Sequence, residues 1–152
     1  ADNTFGLKNS AQPGAMSIER DLAPDLPAVN ASAPELQQVI LNLLLNASQA
    51  FDTPGFLAKE KARIGVRTFQ QGSYVCFEIT DNGPGMEAEE SRHIFEPFFT
   101  TKEVGQGTGL GLSVSYFIIT EQHKGRIEVD STPGLGTRFT IKLPAASDKE
   151  ST

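Results

Sequence analysis

Four glycines stand at alternate positions in Gly105-Gln106-Gly107-Thr108-Gly109-Leu110-Gly111-Leu112, and an apolar pattern of helical period follows at once. Alternating glycine strips side chains from one edge of the backbone and permits positive φ at each step. The run opens the segment Leu110 to Glu121, so free N–H groups and the positive end of a helix dipole face whatever precedes that helix. Such an end suits an anion. Two readings stand on this segment alone: a phosphate cradle, or a flexible glycine-rich linker.

The rest of the chain supplies a core on which such a loop can be mounted. Its 152 residues are the size of one domain. Ser32 is a candidate N-cap, Pro34 is at a permitted first-turn position and Glu35 lies in the first turn, which predicts a helix from about Ala33 to about Phe51, ending before Pro54-Gly55. Leu36, Val39, Ile40, Leu43, Ala47 and Ala50 recur at three and four and form a core stripe. Leu41, Leu44 and Leu45 carry the apolar surface well round the cylinder, so the helix is expected to be largely buried. A narrow polar stripe remains, Glu35, Gln38, Asn42, Asn46 and Gln49, facing solvent or a polar pocket.

Strands are predicted at Ala62 to Phe69 and Tyr74 to Thr80 around a Gln70–Ser73 turn, and at Arg126 to Asp130 and Thr137 to Leu143 around Thr132-Pro133-Gly134-Leu135-Gly136. Ser17 to Asp21 fits an edge strand, and residues 22–33 are extended or looping. Glu87 to Phe95 is weakly helical. Glu96 to Gly109 reads as a long loop of the kind that serves as a lid. The helix after the glycine run reaches about Lys124 and is stopped by Gly125. Helices and hairpins fall in separate blocks, which predicts an α+β fold, a two-layer sandwich, over residues 16–144. Residues 1–15 read as a linker or boundary segment and 145–152 as a polar tail.

Composition removes several classes of function. A net charge of −6 argues against a general nucleic-acid binder. The single cysteine, Cys76, forms no internal disulfide and reads as a small buried strand residue. Apolar runs are too short to span a bilayer, and no signal-peptide plan is visible. A soluble, cytoplasmic domain without membrane contact is expected.

Asn42 and Asn46 are four apart and share a helix face. Mid-helix asparagine needs a reason: either both face solvent, or the carbonyl of one ligates Mg²⁺, a hard cation. Asp81-Asn82-Gly83-Pro84-Gly85 ends a buried-looking strand. It is either a tight turn, or a site where Asp81 accepts the exocyclic amino group of adenine and the glycines let a flat base approach. Phe95-Glu96-Pro97-Phe98-Phe99-Thr100-Thr101-Lys102 is either a satellite core or a site in which Lys102 reaches a phosphate. His123, near a helix C-terminus, is accounted for by the dipole. His93 falls in the expected lid, and no metal-ligand cluster and no Ser-His-Asp arrangement is apparent.

Taken in order, these segments resemble the ATP-binding catalytic domain of sensor histidine kinases, in the superfamily shared with DNA gyrase and the MutL-type ATPases. Gln38 to Ala47 resembles the N box, with Asn46 in the Mg²⁺-ligand position. Asp81-Asn82-Gly83-Pro84-Gly85-Met86 resembles the G1 box, with Asp81 reading adenine. Phe95-Glu96-Pro97-Phe98-Phe99 resembles the F box, and Gly107-Thr108-Gly109-Leu110-Gly111-Leu112 the G2 box at the hinge of the ATP lid. Gly136-Thr137 resembles the Gly-Thr before the last core strand. The Phe98 to Lys102 segment is similar to nitrogen-regulation-type kinases.

The resemblance implies a mixed sheet with about three helices on one face and an ATP lid. It implies ATP and Mg²⁺ as ligands, held by Asn46, Ala50, Asp81, Gly83, Gly85, Met86, Thr101, Lys102, Gly107, Thr108, Gly109, Leu110, Gly111, Leu112 and Thr137. Asn42, Asn46 and Lys102 are the implied catalytic residues. Hydrolysing members carry a glutamate where this chain has Asn42, an amide that takes no proton, which favours transfer over hydrolysis. The family's acceptor is a histidine in a His-Glu-containing motif. His93 precedes Ile94 and His123 precedes Lys124, so the implied partners are a separate dimerisation and phosphoacceptor domain of the same parent protein, and a response regulator. The isolated domain is expected to be a monomer. Gln122-His123-Lys124-Gly125 stands where many members have His-Gly-Gly, a departure expected to affect only the helix cap.

Overall fold

Ser32 starts the first helix. Its backbone is extended (φ −87°, ψ 113°) and its hydroxyl accepts the Glu35 N–H at 3.3 Å, so one of the four orphan donors of the first turn is satisfied. The computed structural model describes residues 16–53, 55–56, 61–97 and 111–146. Helix α1 (Ala33–Ala50) buries Val39, Leu43, Leu44 and Ala47. The wider apolar surface expected of it is only partly covered. Leu44 is buried, but Leu41 and Leu45 are 48% and 47% exposed. One sheet face covers one stripe of a cylinder, and these two leucines lie beyond it.

Five strands form the sheet: β1 (Ser17–Asp21), β2 (Arg63–Gln71), β3 (Tyr74–Asp81), β4 (Arg126–Thr132) and β5 (Gly136–Pro144), in the order β1-β2-β3-β5-β4. β1 is an edge strand and pairs parallel to β2; every other pairing is antiparallel. The sheet is therefore mixed, and side chains in register form rows across it. Val66, Ile79, Phe139 and Val129 face one another in one row, and Val66, Ile79 and Phe139 belong to the core beneath α1. Both the strand alternation and the helical stripe converge there, as an amphipathic two-layer fold requires. Cys76 is fully buried, flanked in register by Phe69 and Lys142, and burial pushes its thiol up.

The second helix, α2 (Ala88–His93), is short. The third, α3 (Gly111–Phe117), continues as a π-helical turn, Ile118–Gln122. Its stop differs from expectation. Lys124, not Gly125, takes the left-handed conformation (φ 56°), and the Gly125 N–H reaches back six residues to the Ile119 carbonyl at 2.8 Å. This is a Schellman-type ending with lysine in the place glycine prefers. Gly125 serves a different purpose: a Cβ there would lie 2.4 Å from the Lys142 carbonyl oxygen. His123 is also more than a charge on the helix dipole. It is buried, its Nε2 accepts the Ser32 N–H at 3.0 Å and its Nδ1 donates to the Ile118 carbonyl at 2.9 Å. That pattern needs a neutral ring, so the dipole argument does not account for it.

At the other end of the chain, Ala145 and Ala146 donate their N–H groups to Ser73 and Ala28, and Val29 bridges Ala145.

Candidate nucleotide site

The row beyond the core row carries polar groups. Ile64, Asp81, Thr137 and Ser131 stand in register across β2, β3, β5 and β4. Asp81, the last residue of β3, is 9% exposed. Its carboxylate accepts the Gly83 N–H at 2.8 Å and faces the Thr137 N–H. Burial pushes its pKa up to about 6, against the lowering effect of the two backbone N–H groups.

Ser131 ties this end together and has no signal in the sequence, where it reads as an ordinary strand residue. Its hydroxyl donates to the Gly136 carbonyl at 3.1 Å and accepts the Met86 N–H at 2.8 Å. With its own proton so used, Ser131 receives that of Thr137 at 2.8 Å. One serine thus sets the orientation of both Met86 and Thr137.

The turn after β3 divides its labour. Asn82 accepts the Arg63 N–H at 2.7 Å and donates to the Lys61 carbonyl at 3.0 Å, locking the turn to the start of β2. Gly85 has φ 74°, and a Cβ there would lie 2.1 Å from the Thr132 carbonyl oxygen. At Gly83 a Cβ would meet Asp81 Oδ1 at 2.9 Å and Ala50 Cβ at 3.1 Å. The missing side chain therefore lets the turn pack closely against the end of α1 and the Asp81 carboxylate.

The polar stripe of α1 resolves into two roles. Asn42 faces α3, where its Nδ2 donates to Gly111 O and to Ser115 Oγ, each at 3.1 Å, while its Oδ1 accepts from Gln38 at 3.0 Å. The side chain of Asn46, one turn further along, makes no hydrogen bond among the described residues. Gly111 opens α3 at the surface and Leu112 packs against the core.

Phe95 meets Tyr116 with rings tilted at 5.2 Å and Phe139 edge-on at 6.0 Å, and so packs against the main core, while Phe98 to Lys102, on which the two readings of that segment turn, lie outside the described residues. His93 closes α2 with Nδ1 on Glu96 at 2.6 Å and Nε2 on Glu89 at 3.2 Å, and these carboxylates raise its pKa. Thr101, Lys102, Gly107, Thr108, Gly109 and Leu110, and the glycine run as far as Leu110, lie outside the described residues.

The structure therefore brings Ala50, Asp81, Gly83, Gly85, Met86 and Thr137 to one end of the sheet. Asn42, Gly111 and Leu112 lie at the seam between α1 and α3, with Asn46 one turn further along α1. Among the described residues no three His, Cys, Asp or Glu side chains gather into a metal cluster.

Residues 31–147 match the family model described as histidine kinase-, DNA gyrase B- and HSP90-like ATPase. The chain is 42% identical over 137 residues to the sensor kinase CckA of Brucella abortus, covering 85% of this chain and 14% of that protein. It is 40% identical over 135 residues to the sensory histidine kinase/phosphatase NtrB of Vibrio alginolyticus, covering 84% of this chain and 37% of that protein. Among solved structures, the nucleotide-free catalytic domain of the histidine kinase ThkA superposes with a TM-score of 0.71 at 30% identity, over 86% of this chain and 79% of that one. ThkA has also been solved in complex with the response regulator protein TrrA, and there the TM-score is 0.65 at 29% identity, over 86% of this chain and 34% of that one. The chain thus spans well under half the length of these curated relatives. It belongs to the histidine kinase-, gyrase B- and HSP90-like ATPase family, and over the matched region it is an ATP-binding catalytic domain of the sensor-histidine-kinase type.

Proposed function

We propose that this domain binds ATP with Mg²⁺ and passes the γ-phosphoryl group to a histidine on a helical dimerisation domain of the same parent protein, for onward transfer to a response-regulator aspartate. The observation that carries the reading is the buried Asp81 carboxylate, held by the closely packed Gly83 turn. An ionised carboxylate only accepts hydrogen bonds, which suits the exocyclic amino group of adenine, and a Cβ at Gly83 would press on that carboxylate at 2.9 Å. Asn46 supports a cation at the other end, because its side-chain carbonyl is uncommitted among the described residues and a hard ion takes oxygen ligands. Bound Mg²⁺ would neutralise charge on the phosphates. By family resemblance, Thr101, Lys102 and residues 107–110 complete the phosphate end.

Asn42 favours transfer over hydrolysis, since an amide cannot take a proton from water, and here its donors are already committed to Gly111 and Ser115. Leu41, Leu45, Val114 and Phe117 leave apolar side chains exposed on α1 and α3, which suits docking of a helical partner. The ThkA–TrrA complex supports a response regulator as the downstream partner. Among the described residues no helix is long and apolar enough to cross a membrane.

The test is calorimetry of Mg-ATP binding to the wild-type chain, followed by radiolabelled phosphoryl transfer to a supplied dimerisation domain. Binding and labelling are expected. Steady phosphate release by the domain alone would point to a hydrolase, and failure to bind nucleotide would leave a partner-binding module.

A further inference from the structure

Ser115 is a serine inside the helical seam where an apolar residue would pack more simply, and it is fully buried. Its hydroxyl donates to the Gly111 carbonyl at 2.9 Å, a bond to the preceding turn that does little for a helix by itself. Its use lies across the seam. Asn42 on α1 donates to that same hydroxyl and to that same carbonyl, each at 3.1 Å. The Gly111 carbonyl therefore receives both the Asn42 amide and the Ser115 hydroxyl, and Asn42 is in turn steadied by Gln38. Few arrangements of α3 on α1 satisfy all these groups together, because such bonds weaken steeply with distance and angle. An apolar contact would permit sliding.

We infer that Asn42 and Ser115 are paired positioning residues, which hold the first turn of α3, with Gly111 and Leu112, in fixed relation to Asn46 one helical turn along α1. The inference rests on the proposed reading that Asn46 holds the cation and that Gly111 and Leu112 belong to the phosphate end of the same site. It assigns Ser115 a role that neither the motifs nor the family resemblance indicates. It also removes Asn42 from contact with the reacting atoms and makes it act through α3.

The distinguishing quantity is the factor by which Mg²⁺ strengthens ATP binding, measured by calorimetry on the whole chain with Mg²⁺ and with EDTA. Metal-free affinity reports the adenine end, which Asp81 holds. The Mg²⁺ factor reports the agreement between Asn46 and the phosphate end. Ser115→Ala and the uncharged Asn42→Leu, each of which removes two of these hydrogen bonds, are each expected to lower the Mg²⁺ factor by roughly fivefold or more, with metal-free affinity unchanged. The double variant is expected to lose no more than the worse single, because both act through one network. Should Ser115→Ala fail to fold, Asn42→Leu, of nearly the same size and also uncharged, supplies the same measurement.

A Mg²⁺ factor that stays at the wild-type value in a folded variant overturns the inference, as do two losses that add independently. A purely structural role would lower the melting temperature and leave the factor alone. A wild-type chain that binds no ATP, or binds it without any Mg²⁺ dependence, overturns the proposed function and this inference with it.

Discussion

His123 Nε2 accepts the backbone N–H of Ser32 at 3.0 Å, across 91 residues of sequence. The contact joins the last turn after α3 to the first turn of α1, while Asn42 joins the middle of α1 to the start of α3. The two helices therefore run antiparallel and are pinned at both places. Asn46 lies one turn along α1 beyond the second pin.

Replacing His123 with alanine leaves the Ser32 N–H and the Ile118 carbonyl without their partners in a buried site. A loss of roughly 2–3 kcal/mol is expected, measured by urea unfolding. A loss under about 0.5 kcal/mol would mean that water replaces the ring without penalty. Nucleotide affinity of the folded variant should hold, because the pin at Asn42 is untouched.

Asp81 titrates near 6 when folded, against a value near 3.8 for an unperturbed carboxyl. Between those values the folded state holds a proton that the unfolded state has released. Its contribution to stability is thus fully present below the unfolded value and is lost as pH rises through about 6. Asp81→Asn is accordingly expected to stabilise the nucleotide-free domain at pH 8 by roughly 1–3 kcal/mol, with the difference closing toward pH 4. Urea melts at the two pH values measure it.

On the proposed reading the same carboxylate accepts from adenine, and for that it must be ionised. ATP affinity should therefore weaken as pH falls through about 6, and Asp81→Asn should cost at least about tenfold in affinity at neutral pH. A variant more stable and weaker in binding separates the two effects. Unchanged affinity would show that Asp81 does not read the base.

Gly83→Ala places a methyl 3.1 Å from Ala50 Cβ and 2.9 Å from Asp81 Oδ1. The carboxylate must shift to admit it, so ATP affinity should fall by about tenfold or more, with a lower melting temperature as well. Calorimetry with a thermal melt checks both. A variant that loses stability and keeps affinity places the base elsewhere.

Lys124 occupies a left-handed backbone position (φ 56°) that glycine adopts without strain. Lys124→Gly is expected to stabilise the chain by about 0.5–1 kcal/mol. Gly125→Ala should destabilise it strongly, because its Cβ would lie 2.4 Å from a backbone oxygen. The opposite signs of neighbouring substitutions, read by denaturant unfolding, test the helix ending.

Much of the fold was legible where the signal is local. The Ser32 cap, Pro34 in the first turn and the three-and-four spacing after it locate α1 within a residue or so, since capping and periodicity act within one or two turns. Strand alternation located β2 to β5 for the same reason. Lys124 was less legible, because the left-handed position fell one residue before the glycine that signals it. Ser131 and Ser115 were not legible at all. Each acts through partners 45 and 73 residues away, Met86 and Asn42, and a serine in a strand or helix carries no mark of what it will meet.

By itself the sequence determined the elements, their caps and turns, and the positions where a side chain must be absent, because these follow from backbone sterics and short-range hydrogen bonding. It also set the order of boxes from which ATP binding is inferred. Only the tertiary structure decided which polar residues share a neighbourhood. Asp81 titrates near 6 because β5 and the Gly83 turn enclose it. His123 bridges the two helices because α1 begins beside it, and Asn42 is committed to α3 while the Asn46 side chain makes no hydrogen bond among the described residues. Burial and long-range hydrogen bonds depend on packing between distant segments, and they turn a helix stripe and a strand end into a candidate site.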